Sequence, residues 1–289
     1  MDIKSMVMGF TFALMWSSAF TSARIIVLQA PALTISSLRF LISGLIAIGI
    51  AYLLGQRIRL DRRNWRAVFI FGICQNALYL GLFFLAMQRI EASLASIIAS
   101  VMPLMVGLAS AVFLKERLSR LGIIGLVIGF AGVAIIMIAR LNGGLDMLGI
   151  LYCLVGVTSL AAATLSVRAA ASKGNVLMVV GLQMLVGSAA LLVPALILEE
   201  QVINWNFSLA AALSYTIIVP GLMATVIWFL LVERIGATRA STYHFLNPFL
   251  GVGIAAVILG ETLTLQDIIG VVVVMAGIFA VQFSRVKPG

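Results

Sequence analysis

RIEASLASIIASVMPLMVGLASAVFLKERLSRLGIIGLVIGFAGVAII, residues 89–136, returns as RIGATRASTYHFLNPFLGVGIAAVILGETLTLQDIIGVVVVMAGIFAV, residues 234–281, without a gap and with 17 identities in 48 positions. The shared positions include Arg89/Arg234, Ser96/Ser241, Pro103/Pro248, Glu116/Glu261, Gly125/Gly270 and Gly132/Gly277. Charged ends, a breaker and packing glycines were therefore copied together, and the chain is a duplicated unit. The copied segment holds two apolar runs, divided in the first copy by the charged stretch Lys115-Glu116-Arg117, and is too long for one bilayer crossing, so it reads as a pair of spans.

Working outward, a chain of 289 residues that is 63% hydrophobic and 10% charged, with mean hydropathy +1.18, lies far from the composition of a soluble domain. Apolar runs of about 20 residues, each long enough for ~30 Å of hydrocarbon, fall near 6–27, 33–54, 67–87, 92–114, 121–139, 147–168, 175–198, 208–232, 238–259 and 267–284. We expect an all-α polytopic membrane protein of ten transmembrane helices in one membrane domain, built as two five-helix repeats over residues 1–140 and 146–285. Connections are short and leave no room for a soluble enzyme domain. The first span is followed by no small-residue cleavage pattern, so a retained helix is expected there, not a signal peptide. Cys74 and Cys153 both fall inside spans and read as small apolar packers.

The net charge of +9 is distributed by topology and not gathered into a nucleic-acid-binding patch. With the N-terminus in the cytoplasm, 15 of the 19 cations fall on inner segments. The outer side keeps Arg24, Arg39, Arg89 and Arg140 beside Glu91, Asp146, Glu199, Glu200, Glu261 and Asp267. This is the positive-inside asymmetry, and it predicts both termini cytoplasmic. Five spans per repeat require the second copy to enter from the opposite side. Lys115, Arg117 and Arg120 of the first copy accordingly become Gly260, Thr262 and Leu265 in the second. An inverted repeat of this kind places a binding site near the midplane, between the halves.

Residues able to line such a site can be read from helical periodicity. In the fourth span Ser93, Ser96, Ser100, Pro103, Gly107 and Ser110 recur at steps of three and four, a small polar face that suits a cavity wall or close helix packing. Pro103 frees a carbonyl four residues back, which needs a polar or wet neighbour. In the ninth span His244, Asn247, Pro248 and Gly251 share a face, with His244 roughly 9 Å deep at 1.5 Å per residue. Gln75, Asn76 and Tyr79 in the third span, and Gly221, Thr225 and Trp228 after Pro220 in the eighth, offer amides, hydroxyls and a ring to an amphipathic ligand. Trp16 is central in the first span and too deep for an interfacial anchor; Trp65 and Trp205 sit at span ends and read as anchors. Arg24 and Arg39 are the cations within spans; attraction of a carboxylate, snorkelling and pairing with an acid such as Glu91 all fit them. The fifth and tenth spans carry glycines for packing, either within the bundle or at a dimer seam, so monomer and homodimer both stay open. No Cys, His or carboxylate set recurs at ligand spacing, and no metal or cofactor is expected.

Trp16-Ser17-Ser18-Ala19-Phe20, Arg39-Phe40, Arg89-Ile90, Ala95-Ser96, Pro103 and Lys115-Glu116-Arg117, with Arg234-Ile235, Ala240-Ser241, Pro248 and Gly260-Glu261-Thr262 in the second half, resemble the EamA family of the drug/metabolite transporter superfamily over essentially the whole chain. The resemblance implies ten helices and passage of small metabolites. It looks most like the bacterial inner-membrane exporters of aromatic and other neutral amino acids, with the small-molecule substrate and the lipid bilayer as partners. All ten acids fall in loops or termini, so the carboxylate relay common in proton-driven carriers is not expected, and downhill facilitated export is. Other readings stay open: a proton-coupled drug or metabolite efflux carrier using His244, a sugar-phosphate or nucleotide-sugar carrier, and a channel or lipid-active protein. Phosphate recognition calls for deep Lys or Arg, which the middle of each span lacks.

Overall fold

The computed structural model of the protein describes residues 2–57, 61–113, 119–141, 146–166, 175–235, 240 and 242–285. Regular structure among them is helical: α1 (Ile3–Val27), α2 (Ala32–Leu53), α3 (Arg62–Phe71), a π segment (Gly72–Leu80), α4 (Gly81–Ala86), α5 (Ala92–Ala99), α6 (Met102–Phe113), α7 (Arg120–Leu141), α8 (Met147–Ser166) and α9 (Val176–Leu198). There follow α10 (Phe207–Thr216), a second π segment (Ile217–Met223), α11 (Ala224–Ile235), a 3-10 turn (Thr242–Leu246), α12 (Asn247–Leu259) and α13 (Leu265–Arg285). Nine helical stretches among the described residues are long and apolar enough to cross a bilayer, and a further apolar stretch, Tyr243–Leu259, is shorter. The expected span 238–259 begins at residues 238, 239 and 241, which lie outside the described set, as do Glu116, Arg59, Lys115, Arg117, Arg168, Lys173, Arg239 and Lys287.

Helix ends are fixed by side chains, because four backbone donors at each N-terminus have no partner within the helix. Asp2 accepts from Ser5 N at 3.2 Å to start α1, Asp61 from Asn64 N at 2.7 Å to start α3, and Asn206 from Leu209 N at 2.9 Å to start α10. Other caps come from distant segments. Glu199, just after α9, accepts from Leu33 N and Thr34 N of α2, both at 2.8 Å, and from Thr34 Oγ1 at 2.9 Å. Gln56, just after α2, accepts in return from Met178 N of α9 at 3.1 Å. Gly260 ends α12 in the left-handed region at φ +68°, and the next residue, Glu261, takes Ala92 N and Ser93 N of α5 at 2.8 and 2.9 Å.

The glycines of the fifth and tenth spans join α7 to α13. A Cβ on Gly125 would stand 2.9 Å from Gly277 O, and one on Gly132 would stand 2.9 Å from Gly270 O, so the two backbones touch. α2 and α9 meet in the same way, with a Cβ on Gly44 falling 2.9 Å from Gly181 O. The glycine faces are thus spent inside the chain and are not free to seat a second copy.

Four spans expected as continuous helices are interrupted. The third and eighth carry the π segments, which begin at Gly72 and Ile217, 145 residues apart and in the register of the sequence repeat. The fourth breaks between Ala99 and Met102, and the ninth changes from 3-10 to α at Asn247, each just before its matched proline, Pro103 or Pro248. A proline ring clashes with the carbonyl of the preceding turn, which accounts for these two breaks. In the third span there is no proline; Ser159 Oγ donates to the Cys74 carbonyl at 3.1 Å, satisfying an acceptor within the wide turn. Cys74 and Cys153 are free thiols, and Cys153 is buried.

Two further expectations are corrected. Asp267 lies inside α13, in its first turn, and is fully buried, not in a loop. It accepts from Thr264 N at 3.0 Å and Thr264 Oγ1 at 2.9 Å, while its own N–H reaches Thr264 Oγ1 at 3.2 Å, a reciprocal cap that holds the carboxylate at the helix start. Gln282 is also buried in α13, a helix expected to carry no polar residue that needs burial.

Candidate functional site

The two π segments face a cavity of about 70 Å³ lined by α1, α2, the first π segment, α4, α9, α10, the second π segment and α11. A π turn adds a residue and shifts the side chains after it around the helix, and such turns recur at functional sites. Here they aim Gln75, Asn76 and Tyr79 from one side and Pro220 and Gly221 from the other at the same space. Gly221 has its reason in proximity: a Cβ there would stand 2.9 Å from Thr216 O and 3.6 Å from Ser43 Oγ. Along α1 the wall runs from Trp16 to Ala23, about 10 Å at 1.5 Å per residue, and it reaches Met87 beyond α4. The cavity therefore extends from mid-bundle toward the end that carries Glu199 and Glu261.

Its lining is mostly rings and aliphatic chains, with Phe20, Phe40, Phe83, Phe84 and Met184 among them. Several polar groups lie between. Asn76 is committed, donating from Nδ2 to Gln183 O at 2.9 Å, and Thr225 Oγ1 bonds back to Gly221 O at 2.7 Å. Thr216 Oγ1 donates to Ala212 O at 2.7 Å and lies 2.8 Å from Ser22 Oγ, whose hydroxyl can donate to it. The side chains of Ser43, Gln75 and Tyr79 have no hydrogen-bond partner among the described residues, although Ser43 and Tyr79 are buried.

Arg39 is the wall residue that sequence reasoning left out of the site. It is only 7% exposed, its Nε has no partner, and no carboxylate contacts it among the described residues. Its guanidinium carbon lies 4.3 Å from the Phe40 ring centroid and 4.6 Å from that of Phe84. Such contacts are worth roughly 0.5 to 2 kcal/mol each, whereas removing an ion from water costs several. The rings alone leave this cation under-compensated. Arg39 and Ser43 stand one helical turn apart on α2, and that spacing was the available signal. Arg24, by contrast, donates to the Met87 carbonyl and not to a carboxylate.

A second cluster lies beside the cavity, with Trp16 common to both. Phe12 stacks at 5.7 Å from Trp16 and 4.8 Å from Trp228, and His244 meets Trp228 at 5.0 Å, Phe12 at 5.3 Å and Trp16 at 6.4 Å, centroid to centroid. Asn247 Nδ2 donates to His244 Nδ1 at 2.9 Å, which leaves the ring proton on Nε2. His244 is thus held by its own turn and by three rings. Phe12 lies one turn nearer the start of α1 than Trp16, so the cluster stands between the cavity and the end of the bundle carrying Asp2.

Of the twelve residues singled out in the sequence, Trp16, Gln75, Asn76, Tyr79 and Thr225 line the cavity. Trp228 and His244 belong to the aromatic cluster. Ser96, Ser100, Asn247 and Pro248 are buried where α5 and α12 pack, with Ser17 of α1, and Pro103 is buried at the start of α6. There Ser17 Oγ and Ser96 Oγ both point at the Asn247 carbonyl, at 3.4 and 3.5 Å, and a Cβ on Gly251 would collide with Ser96 Oγ. Ser100 Oγ turns back to Ser96 O at 2.7 Å. Trp205 is 59% exposed at its span end, as befits an anchor. Among the described residues no group of His, Cys, Asp or Glu has the arrangement of a metal site.

Comparison with known proteins gives this cavity a context. A model of the EamA-like transporter family matches residues 3–138 and again residues 147–283. The uncharacterized transporter YvbV of Bacillus subtilis is 26% identical over 270 residues, covering 93% of this chain and 88% of its own. An uncharacterized transporter of Archaeoglobus fulgidus is 27% identical over 270 residues, covering 93% and 95%. A probable amino-acid metabolite efflux pump of Salmonella typhimurium is 27% identical over 203 residues, which are 67% of this chain and 68% of its own. A solved crystal structure shares the fold, with a TM-score of 0.70 and 21% identity over 97% of this chain and 96% of the other. Since the family model covers both halves, the chain is a multi-pass membrane transporter and belongs to the EamA-like transporter family.

Proposed function

We propose that the protein exports small amphipathic metabolites, neutral amino acids with aromatic ones favoured, across a bacterial inner membrane through the cavity at the π segments. The observation that carries this reading is the cavity itself: an apolar, ring-lined space with a few unpartnered polar groups is what binds and orients a small ligand. The Salmonella relative described as a probable amino-acid metabolite efflux pump supports the substrate class.

The halves work as inverted copies, both termini are cytoplasmic, and access alternates between them. Interruptions paired 145 residues apart in the third and eighth spans, and again in the fourth and ninth, support this reading, since carriers of this kind build their sites from broken helices at the repeat interface. So does an asymmetry. α1 lines the cavity over Trp16, Ala19, Phe20 and Ala23, whereas none of the described side chains of α8, its counterpart in the repeat, lines it. One facing state of a two-state carrier has this property, the other state exchanging the two helices. With the Asp2 end cytoplasmic, the cavity sits in the outer half and the aromatic cluster shuts it from the cytoplasm.

Transport runs downhill. Among the described residues Asp267, a carboxylate inside a bilayer-crossing stretch, is tied into a helix cap and does not line the cavity. Counterflow of radiolabelled phenylalanine in liposomes tests the reading: saturable exchange by the purified protein is expected, and movement of sugar phosphates with no amino acid would overturn it.

A further inference from the structure

We propose that Arg39 is the carboxylate-binding residue of the cavity, so that the cargo is a small molecule presenting a carboxylate on an aromatic or aliphatic body. This rests on the transport reading of the cavity and supplies its ligand chemistry. A guanidinium that is 7% exposed, with Nε unpartnered and no acid in contact among the described residues, is suited to an anion from outside the chain. Its side chain forms part of the cavity wall. Phe40 and Phe84 flank it and accept no proton, so its N–H donors stay available to a planar acceptor. Ser43, one turn along α2, and Gln75 and Tyr79 across the cavity add donors without internal partners. A carboxylate fits this set because it accepts two parallel hydrogen bonds from a guanidinium and further bonds from hydroxyl and amide. No Asp or Glu among the described residues lines the cavity, so they offer an ammonium on the ligand no fixed counter-charge.

The test compares phenylpropionate with phenylpropanol, the same skeleton without the charge, by calorimetry on the detergent-solubilised full chain. Phenylpropionate should bind about 10- to 100-fold more tightly, the range expected of charge-assisted hydrogen bonds. Arg39→Gln should abolish that gap, weakening phenylpropionate far more than the alcohol, and Arg39→Lys should keep part of it. The comparison in the parent protein needs no variant, so a misfolded Arg39→Gln does not blunt the test. Equal affinity for the two probes in the parent, or a gap that survives Arg39→Gln, overturns the proposal. Absence of phenylalanine counterflow alone would defeat the transport reading and leave the binding result to decide on Arg39.

Discussion

Removing the Glu261 carboxylate should destabilise the fold by about 2 to 4 kcal/mol. Glu261 holds the backbone N–H groups of Ala92 and Ser93 at 2.8 and 2.9 Å, and both residues are fully buried, so no water can take over. Each unsatisfied buried donor costs roughly 1 to 3 kcal/mol, and loss of an N-terminal negative charge adds about 0.3 to 1 kcal/mol through the helix dipole. Partial relaxation of the loop offsets some of this sum, which sets the upper figure. Glu261→Gln retains an acceptor without the charge and should fall between Glu261→Ala and the parent. Glu200 lies at the same end and is exposed, and its alanine variant should stay within about 0.5 kcal/mol of the parent. Reversible unfolding in mixed micelles, followed by circular dichroism at increasing denaturing detergent, reads all four proteins on one scale. Equal shifts for Glu261→Ala and Glu200→Ala would refute the reasoning, because the cap would then carry no energy of its own.

Gly277→Leu should separate α7 from α13 and lower the unfolding midpoint sharply, since its side chain would enter the Gly129 backbone; an unchanged midpoint would mean that the helices are not in contact. His244→Ala should slow phenylalanine equilibration in liposomes without changing its endpoint, and uphill accumulation driven by a pH gradient in the parent, lost in the variant, would instead make His244 the coupling group. The Gly149 N–H and the Arg89 guanidinium hold the Asp146 carboxyl below its ordinary value of about 3.9. Its contribution to stability is therefore complete above that value and is lost as the pH falls below it; Asp146→Asn should flatten the acid limb of a stability profile, and parallel profiles for the two proteins would contradict this.

The sequence repeat made the helical class, the near-complete set of spans and the matched prolines legible, because breakers and glycines carry backbone information locally. Residues 72–80 and 217–225 share almost no side chains, and the register of the two π segments could be found only in three dimensions. The serine face of the fourth span was visible, yet periodicity says which residues share a face and not what stands opposite. Gly251 stands opposite, and the face is packed. Glu199 and Glu261 appeared only as outer negative charge; their caps depend on segments more than 160 residues away. Arg39 was open to three roles in the sequence, because depth along a helix does not reveal a cavity beside it.

The glycine contact between α7 and α13 has a consequence for the order of assembly. During synthesis α7 emerges with Gly125, Gly129 and Gly132 bare, and the helix that covers them begins only at Leu265. Until the ribosome has delivered α13, lipid or a chaperone must occupy the exposed ridge. The amino-terminal half therefore waits in the membrane with an open seam, which closes only once α13 has been inserted. Substitutions in residues 265–285 should accordingly be felt first in the yield of inserted protein and in its exposure to membrane proteases.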